Sequence, residues 1–83
     1  MKAKEIKKYW HLKCYGLFGK LHSVEILENA TDDEAVNFGW KLYHEREGVL
    51  NVKIESFGNG KQTFDITSTY PGSNEVIIPR WAI

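Results

Sequence analysis

The apolar positions of the chain change their spacing once, between residues 31 and 48. In this stretch they recur at the spacing of a helix, with polar side chains on the opposite side. Thr31 and Glu34 form a capping box at the start, and Gly48 stands where a left-handed residue ends many helices. The stripe consists of Ala35, Phe38, Gly39 and Leu42. We therefore predict an amphipathic helix that covers a sheet.

Gly39 lies in the middle of the apolar stripe. A glycine inside a helix costs about 1 kcal/mol relative to alanine, so a glycine here needs a compensating reason. We expect the helix backbone to approach the sheet closely at this residue.

Before the helix, two runs of alternating apolar and polar residues predict a β-hairpin. The first covers residues 9–15 and directs Trp10, Leu12 and Cys14 inward. The second covers residues 21–27, where we take Val24 and Ile26 as the inward pair. Glycines at both ends of the intervening loop favour a turn.

After the helix, three more runs predict strands at residues 50–55, 62–70 and 75–78. Turn residues at 58–60 and 71–74 separate them. Pro79 has no backbone donor, so it places the last strand at an edge.

The element order ββαβββ predicts an α+β fold in which one helix packs across one face of a mainly antiparallel sheet. Residues 1–83 form a single small domain, with residues 1–7 as a flexible lead-in. The order 2-1-3-4-5 follows if the first strand pairs with the apolar third strand. A β-grasp-like order, 2-1-4-3, is the alternative, in which the fourth strand runs parallel to the first. Antiparallel pairs are the commoner kind, which favours the first order.

The composition restricts the class of protein and the cellular location that we expect. The chain has 83 residues, no net formal charge and one cysteine, so an internal disulfide framework is excluded. No apolar run approaches the roughly 20 residues of a membrane span, and residues 1–10 lack the apolar core of a signal peptide. We expect a cytoplasmic protein with no membrane partner. A domain this small has a modest core, so oligomerisation would help it.

No residue pattern indicates catalysis, a cofactor or a metal. His11, His22, His44 and Cys14 lack the close spacing of metal ligands, and neither phosphate-loop glycine motif occurs. Cys14 points inward by its parity, which is typical of a structural thiol rather than a nucleophile. We predict a protein that is not an enzyme.

The segment 76–83 is apolar on both strand parities, so it is either buried in its own domain or in contact with another chain. Trp40 and Trp81 are aromatic anchors of the kind that interfaces favour. The main hypothesis is thus a protein-interaction module or homodimer. Its candidate partner-binding residues are Trp40, Ile77, Trp81 and Ile83.

The outward face of the first strand offers an alternative. It alternates aromatic side chains with basic or titratable ones, which is the surface that single-stranded nucleic-acid binders use to stack bases. No RNA-binding sequence motif accompanies it. The residues of this alternative are Tyr9, His11, Lys13, Tyr15 and Lys53.

Overall fold

The computed structural model describes residues 7–57, 61–67 and 76–83, in which one helix packs on one face of a four-stranded antiparallel sheet. The strands lie in the order β2-β1-β3-β4. The elements are β1 (Lys8–Tyr15), β2 (Leu21–Ala30), α1 (Asp32–Glu45), β3 (Asn51–Phe57) and β4 (Thr63–Ile66). The predicted α+β fold is confirmed, and the order of these four strands follows the 2-1-3-4-5 prediction and not the β-grasp-like one.

The start of α1 is fixed by the predicted capping box. The Glu34 amide donates to Thr31 Oγ1 at 3.3 Å, and the Thr31 amide donates to Glu34 Oε1 at 3.0 Å. The hydrogen bond from the Thr31 backbone lowers the pKa of Glu34. At the other end the Arg46 amide donates to the Leu42 carbonyl, and Gly48 has a φ of +89°. The capping box thus gives hydrogen-bond partners to two backbone amides at the start of α1. Gly48 allows the chain to turn away after its end.

Gly39 lies at a close approach between helix and sheet, as its place in the stripe predicts. A methyl group on this residue would lie 2.5 Å from Ile54 Cδ1 and 2.6 Å from Ile66 Cδ1. Because the sheet side chains occupy the space that a Cβ would need, only glycine allows this approach.

The core lies between α1 and the inner face of the sheet. Its largest side chain, Trp10, is fully buried and donates from Nε1 to the Ala30 carbonyl at 2.9 Å. This hydrogen bond joins β1 to the end of β2 and satisfies the buried indole donor. The other buried apolar residues are Leu12, Cys14, Ala30, Ala35, Leu42, Tyr43, Val49, Val52, Ile54 and Ile66.

The prediction that Val24 and Ile26 point inward is wrong. Val24 lies opposite Lys13, and Ile26 lies opposite His11, so both project from the face away from α1. The inner face of β2 instead carries Ser23, Glu25 and Leu27, which lie opposite Cys14, Leu12 and Trp10.

Two features explain this reversal. The helix packs mainly over β3 and β1, so the inner face of β2 is poorly covered and burying a valine or isoleucine there would gain little. The register is also set at the other end of β2, where Leu27 packs against the core beside Trp10. Alternation then places the odd residues 23, 25 and 27 inward.

A shift of register between Cys14 and Tyr15 adds a bulge to the start of β2. Tyr15 lies opposite Leu21, while Cys14 lies opposite Ser23, so His22 is the extra residue. The bulge turns Leu21 to the same outer face as Val24 and Ile26.

The remaining strand predictions hold in part. The fourth strand was predicted over residues 62–70, but it covers Thr63–Ile66, and residues 68–70 lie outside the described residues. The fifth strand is not formed at residues 76–78, where Val76 makes one isolated bridge. The lead-in at 1–6, the turns at 58–60 and 71–74, and Glu75 lie outside the described part of the chain.

Candidate functional site

The sheet face opposite α1, here called the open face, has no element of the described chain packed on it. Its members are defined by the strand register, because residues directly opposite each other project from the same face. They are Tyr9, His11, Lys13 and Tyr15 of β1, Leu21, Val24 and Ile26 of β2, Asn51, Lys53, Glu55 and Phe57 of β3, and Thr63 and Asp65 of β4.

Two central rows cross all four strands of the open face. The row through His11, called the His11 row, contains Ile26, His11, Glu55 and Thr63 in the order of the strands. The row through Lys13, called the Lys13 row, contains Val24, Lys13, Lys53 and Asp65. Each row therefore begins with an aliphatic side chain on β2 and ends with polar side chains on β3 and β4.

An aromatic cluster occupies one end of the open face. Tyr9 and Phe57 lie opposite each other with ring centroids 6.2 Å apart, and the His11 ring lies 4.4 Å from Phe57. Tyr9 and His11 meet edge to face at 5.2 Å. Tyr9 and Phe57 are nevertheless exposed, so their rings remain available to a partner.

An aliphatic strip occupies the β2 side of the same face. Leu21, Val24 and Ile26 are all exposed, and Ile26 retains 56% of its accessible surface. Together with the aromatic cluster they place five exposed large apolar residues on one sheet face. Single exposed apolar residues are ordinary, but a contiguous patch on one face is typical of an interaction site.

Glu55 is the one buried charge of the open face, with 7% of its surface accessible. Its carboxylate receives Lys13 Nζ at 3.4 Å and Lys61 Nζ at 3.5 Å. Burial acts to raise the pKa of Glu55, but the two lysines outweigh it and hold this pKa below its ordinary value. Glu55 is thus ionised and partly neutralises the basic side chains of β1 and β3.

The formal charges of the two central rows are opposite. The His11 row carries Glu55 alone, which gives it one negative charge. The Lys13 row carries Lys13 and Lys53 against Asp65, which gives it one positive charge. Lys61, which reaches Glu55 from just before β4, adds a further positive charge, so the open face carries one net positive charge. This is too little to resemble the basic surface of a nucleic-acid binder.

The segment 76–83 is attached to α1 by three hydrogen bonds. Tyr43 Oη donates to the Ile77 carbonyl at 2.7 Å, and Trp81 Nε1 donates to the Tyr43 carbonyl at 3.0 Å. The Arg80 amide donates to His44 Nδ1 at 3.3 Å. Tyr43 therefore bonds the segment at both ends, and this part of the segment packs on its own domain.

The four predicted partner-binding residues fall into two groups. Ile77, Trp40 and Trp81 are partly buried within the domain, and the Trp40 ring stacks on His44 at a centroid distance of 5.9 Å. Ile83 differs, with 92% of its surface exposed. The first three residues make contacts within the chain, while Ile83 contacts solvent.

The structure brings together the five residues of the alternative nucleic-acid face. Tyr9, His11, Lys13 and Tyr15 lie along β1, and Lys53 lies directly opposite Lys13. The sequence prediction missed the aliphatic strip beside them, because alternation alone assigned Val24 and Ile26 to the core. The neighbouring apolar pair Ile26 and Leu27 was the available signal, since only one of two consecutive strand residues can face inward.

Polar groups fill the poorly covered inner side of β2. Arg46 Nη1 lies 3.0 Å from Ser23 Oγ and 3.4 Å from Glu25 Oε2. Cys14 is fully buried beside them, and burial raises the pKa of its thiol. The thiol is therefore inaccessible and protonated, which makes it a poor nucleophile.

A shallow pocket of about 260 Å³ lies between this polar cluster and the helix. Its charged lining consists of Lys41 and Arg46 against Glu25 and Glu45. Equal numbers of both signs line the pocket, so it does not select a charged ligand.

Within residues 7–57, 61–67 and 76–83, no group of three or more His, Cys, Asp or Glu side chains could hold a metal ion. The same part of the chain contains no helix that is long and apolar enough to cross a membrane.

Comparison of the chain with protein-family models, with curated proteins and with solved structures found no significant match.

Proposed function

We propose that the chain is a small, non-enzymatic protein-binding module that docks a protein surface on its open face. The observation that carries this proposal is the reversed polarity of β2. This strand directs its aliphatic side chains, Val24 and Ile26, away from the core of its own domain, and its polar ones, Ser23 and Glu25, toward it.

The energetic argument follows from that reversal. A half-covered sheet ordinarily directs its polar residues to solvent, because exposed apolar area is unfavourable in water at about 25 cal/mol per Å². The aliphatic strip contributes little to the core, so burial against a partner is the way in which this area can stabilise a complex. Tyr9 and Phe57 extend the patch with aromatic groups, which interfaces favour.

The segment 76–83 is the alternative contact area, in place of the open face, for the same function. Val76, Ile78 and Ile83 are exposed, while Trp81 and Tyr43 hold the segment against the domain. This segment and the neighbouring Trp40 are where the sequence placed the interaction. The open face is the stronger candidate because its exposed apolar residues are contiguous on one sheet.

The buried cysteine supports the assignment of a reducing compartment such as the cytoplasm. Cys14 has no accessible surface and no disulfide partner. Unpaired thiols persist in such compartments, where disulfides are rare. We propose a cytoplasmic module on this basis.

The test immobilises the 83-residue chain and captures the proteins that bind it from a nuclease-treated cell extract. Retained proteins are identified by mass spectrometry, purified, and titrated against the wild type and the variant Ile26→Lys. Binding of the chain to another copy of itself is measured by the same titration. We expect Ile26→Lys to weaken binding by about 100-fold, because it places a charge at the centre of an apolar contact.

Ile78→Lys is the matched control. Ile78 lies in the segment 76–83 and is 57% exposed, against 56% for Ile26, so both variants exchange an equally accessible isoleucine for lysine. Wild-type affinity for Ile78→Lys supports the open face. A loss confined to Ile78→Lys would move the binding site to the segment and contradict the open-face assignment.

Single-stranded nucleic acid is the second candidate, supported by the three-ring cluster of Tyr9, His11 and Phe57 beside Lys13 and Lys53. The small net charge of the face is unfavourable to nucleic-acid binding. The measurement is fluorescence anisotropy with labelled oligonucleotides at low salt, where counterion release favours binding most. Binding that Tyr9→Ala abolishes and salt weakens would favour this function over protein binding.

A further inference from the structure

We propose that the outer edge of β2 binds an extended segment of a partner protein as an added strand, antiparallel to β2. This inference rests on the proposed function, because the partner is a protein, and it adds the conformation and chemistry of the bound segment. Within the described part of the chain, β1 is the one strand that pairs with β2. The backbone amides and carbonyls on the other edge of β2 therefore match the backbone of another extended chain.

The hydrogen bonds of the sheet show which way the backbone groups of each strand point. The Ser56 amide donates to the Gln62 carbonyl at 2.9 Å, so the backbone groups of Ser56 point toward β4. Along an antiparallel strand these groups alternate between the two neighbours, so those of Glu55 point toward β1. His11 lies opposite Glu55 and points back toward β3. The next residue of β1, Leu12, therefore points toward β2.

The same alternation identifies the free backbone groups of β2. Glu25 lies opposite Leu12, so the amide and carbonyl of Glu25 are directed toward β1. Those of the two neighbouring residues, Val24 and Ile26, are directed to the outer edge. The residues that carry the exposed aliphatic side chains thus also carry the unpaired backbone donors and acceptors.

The outer edge of β2 is regular over residues 23–27. The bulge at His22 precedes this stretch, and the next shift of register follows Leu27. The stretch contains neither proline nor lysine, which commonly block edge strands. Its one charged side chain, Glu25, pairs with Arg46 at 3.4 Å. The other edge strand of the described sheet, β4, has only four residues, so β2 is the edge better suited to strand addition.

The pocket beside α1 lies where one side chain of the added strand would enter. This pocket of about 260 Å³ is lined by Glu25 of β2 and by Phe38 and Leu42 of α1. Successive residues of a strand point to opposite faces, so the added residue opposite Glu25 points to the helix side and reaches the pocket. Phe38 and Leu42 offer an apolar contact to that residue.

The two residues that flank this central one lie on the open face. They stand opposite Val24 and Ile26, in hydrogen-bonded pairs whose Cα atoms are about 5.5 Å apart. Val24 retains 42% of its accessible surface and Ile26 retains 56%, so both are available for cross-strand contacts. Aliphatic side chains opposite them stabilise such pairs. The segment that fits the edge therefore has three consecutive apolar residues in an extended conformation.

The first experiment titrates a peptide probe, Lys-Thr-Val-Val-Val-Thr-Lys with blocked ends, into the isotope-labelled 83-residue chain up to about 1 mM. In the free protein, the amides of Val24 and Ile26 should exchange with solvent faster than the amide of Glu25. The probe should shift the resonances of the first two amides and slow their exchange. Slow exchange of these amides in the free protein, or no change on adding the probe, would overturn the inference.

The second experiment tests the hydrogen bonds with two methylated probes of identical composition. One has an N-methyl group on the third valine, whose amide faces β2 in the proposed arrangement. The other has it on the central valine, whose amide faces away. We expect the first probe to bind at least about tenfold more weakly than the unmodified peptide, because it loses a hydrogen bond and its methyl group meets β2. The second should bind as the unmodified peptide does, and equal affinities of the two methylated probes would overturn strand addition.

The third experiment removes the donor from the protein. Ile26→Pro lacks the outward amide, and proline is tolerated in an edge strand where the nitrogen faces away from the neighbouring strand. Ile26→Ala is the matched control, because it loses the same side chain but keeps the amide. Circular dichroism checks that both variants are folded, and the methylated probes decide the question without any change to the protein. We expect Ile26→Pro to bind the unmodified peptide at least about tenfold more weakly than Ile26→Ala, and equal affinities of the two folded variants would contradict the proposal.

The two proposals fail in distinguishable ways. If a protein captured from the extract binds Ile26→Pro and Ile26→Ala equally, while Ile26→Lys removes its binding, strand addition is wrong and the open-face module stands. If the methylated probes differ as expected, but Ile26→Lys leaves the captured protein bound, the edge binds a strand and the open-face assignment is wrong. If none of these variants and probes changes binding, both proposals are wrong.

Discussion

At the scale of single residues, Gly39 shows how a locally unfavourable choice serves the whole fold. The residue costs helix propensity, yet it lets two buried isoleucine side chains fill the space beneath the helix. Ile54 is fully buried and Ile66 nearly so, and therefore neither can turn away without opening a void.

Gly39→Ala consequently should destabilise the domain. Alanine gains about 1 kcal/mol of helix propensity but overpacks the core, which costs about 1–3 kcal/mol. We expect a net loss of about 1 kcal/mol in the free energy of unfolding measured with urea. Adding Ile54→Val removes the Cδ1 atom that the new methyl group meets, so the double variant should recover part of the loss.

Asn37→Ala serves as the control for that experiment. Asn37 is exposed on α1, so the smaller gain in helix propensity from asparagine to alanine meets no neighbour there. It should stabilise the domain by a few tenths of a kcal/mol. A Gly39→Ala variant as stable as Asn37→Ala would show that the helix does not pack against Ile54 as described.

The lowered pKa of Glu55 predicts that the stability of the fold depends on pH. Its pKa is lower in the folded protein than the ordinary value of 4.5, so its ionisation stabilises the fold above that value. The contribution is lost as the pH falls through the folded-state pKa. We expect Glu55→Gln to be less stable than the wild type at pH 7, and the difference to shrink between pH 5 and pH 3 in urea unfolding.

Glu47→Gln controls for the loss of one formal negative charge, because Glu47 is exposed. The Glu55 interpretation requires its variant to differ from this control at pH 7. Parallel stability curves for Glu55→Gln and the wild type across the acid range would contradict it.

At the scale of elements, the helix could be predicted residue by residue while β2 could not. Thr31, Glu34 and Gly48 act within a few residues of where they stand, so their roles are local and readable. Which side chains of β2 point toward the core depends instead on where α1 lies across the sheet and on the bulge at His22. Both are consequences of the tertiary fold.

The same distinction applies to the candidate site. The outward residues of β1 follow from simple alternation, and the structure places Tyr9, His11, Lys13 and Tyr15 where the sequence predicted. The aliphatic strip of β2 required the register, which Trp10 sets through Leu27 and the Ala30 carbonyl. A pattern of alternation gives two faces but does not say which one is covered.

Replacing the aliphatic strip should therefore leave the fold of the single chain intact. We expect Val24→Thr with Ile26→Thr to change the free energy of unfolding by less than about 0.5 kcal/mol at concentrations where the chain is monomeric. Threonine retains the β-branched shape that strands favour. Urea unfolding at low protein concentration measures this.

Ile54→Ala provides the comparison for a residue that does belong to the core, and it should cost about 2–5 kcal/mol. A loss of that size for the Val24 and Ile26 pair would mean that these side chains are buried within the domain. The described register of β2 would then be wrong.

At the scale of the whole molecule, Tyr43 connects the segment 76–83 to the core. Its ring is fully buried, its hydroxyl holds Ile77, and its carbonyl receives the Trp81 indole. Burial raises the pKa of Tyr43, so the hydroxyl remains a donor at neutral pH. Residues distant in sequence are thus joined through one helical side chain and its backbone.

Trp81→Phe should loosen the segment selectively. The variant keeps an aromatic ring but loses the indole donor, and one hydrogen bond of this kind contributes about 1 kcal/mol. We expect amide hydrogen exchange in residues 80–83 to accelerate about fivefold, with exchange in β1 and β3 unchanged. The control is Ile83→Ala, which removes an exposed side chain and should leave exchange in the segment unchanged. Equal exchange in both variants would contradict anchoring of the segment by the Trp81 indole.

The pairing of β1 with β3 also determines the order in which the chain can fold during synthesis. β1 and β2 form a local hairpin, but the strand on the other side of β1 begins only at Asn51, after the helix. Until β3 has left the ribosome, the nascent hairpin exposes Trp10 and Leu12 on one face and Val24 and Ile26 on the other. Such a hairpin is apolar on both sides, so it is prone to aggregate until β3 pairs with β1.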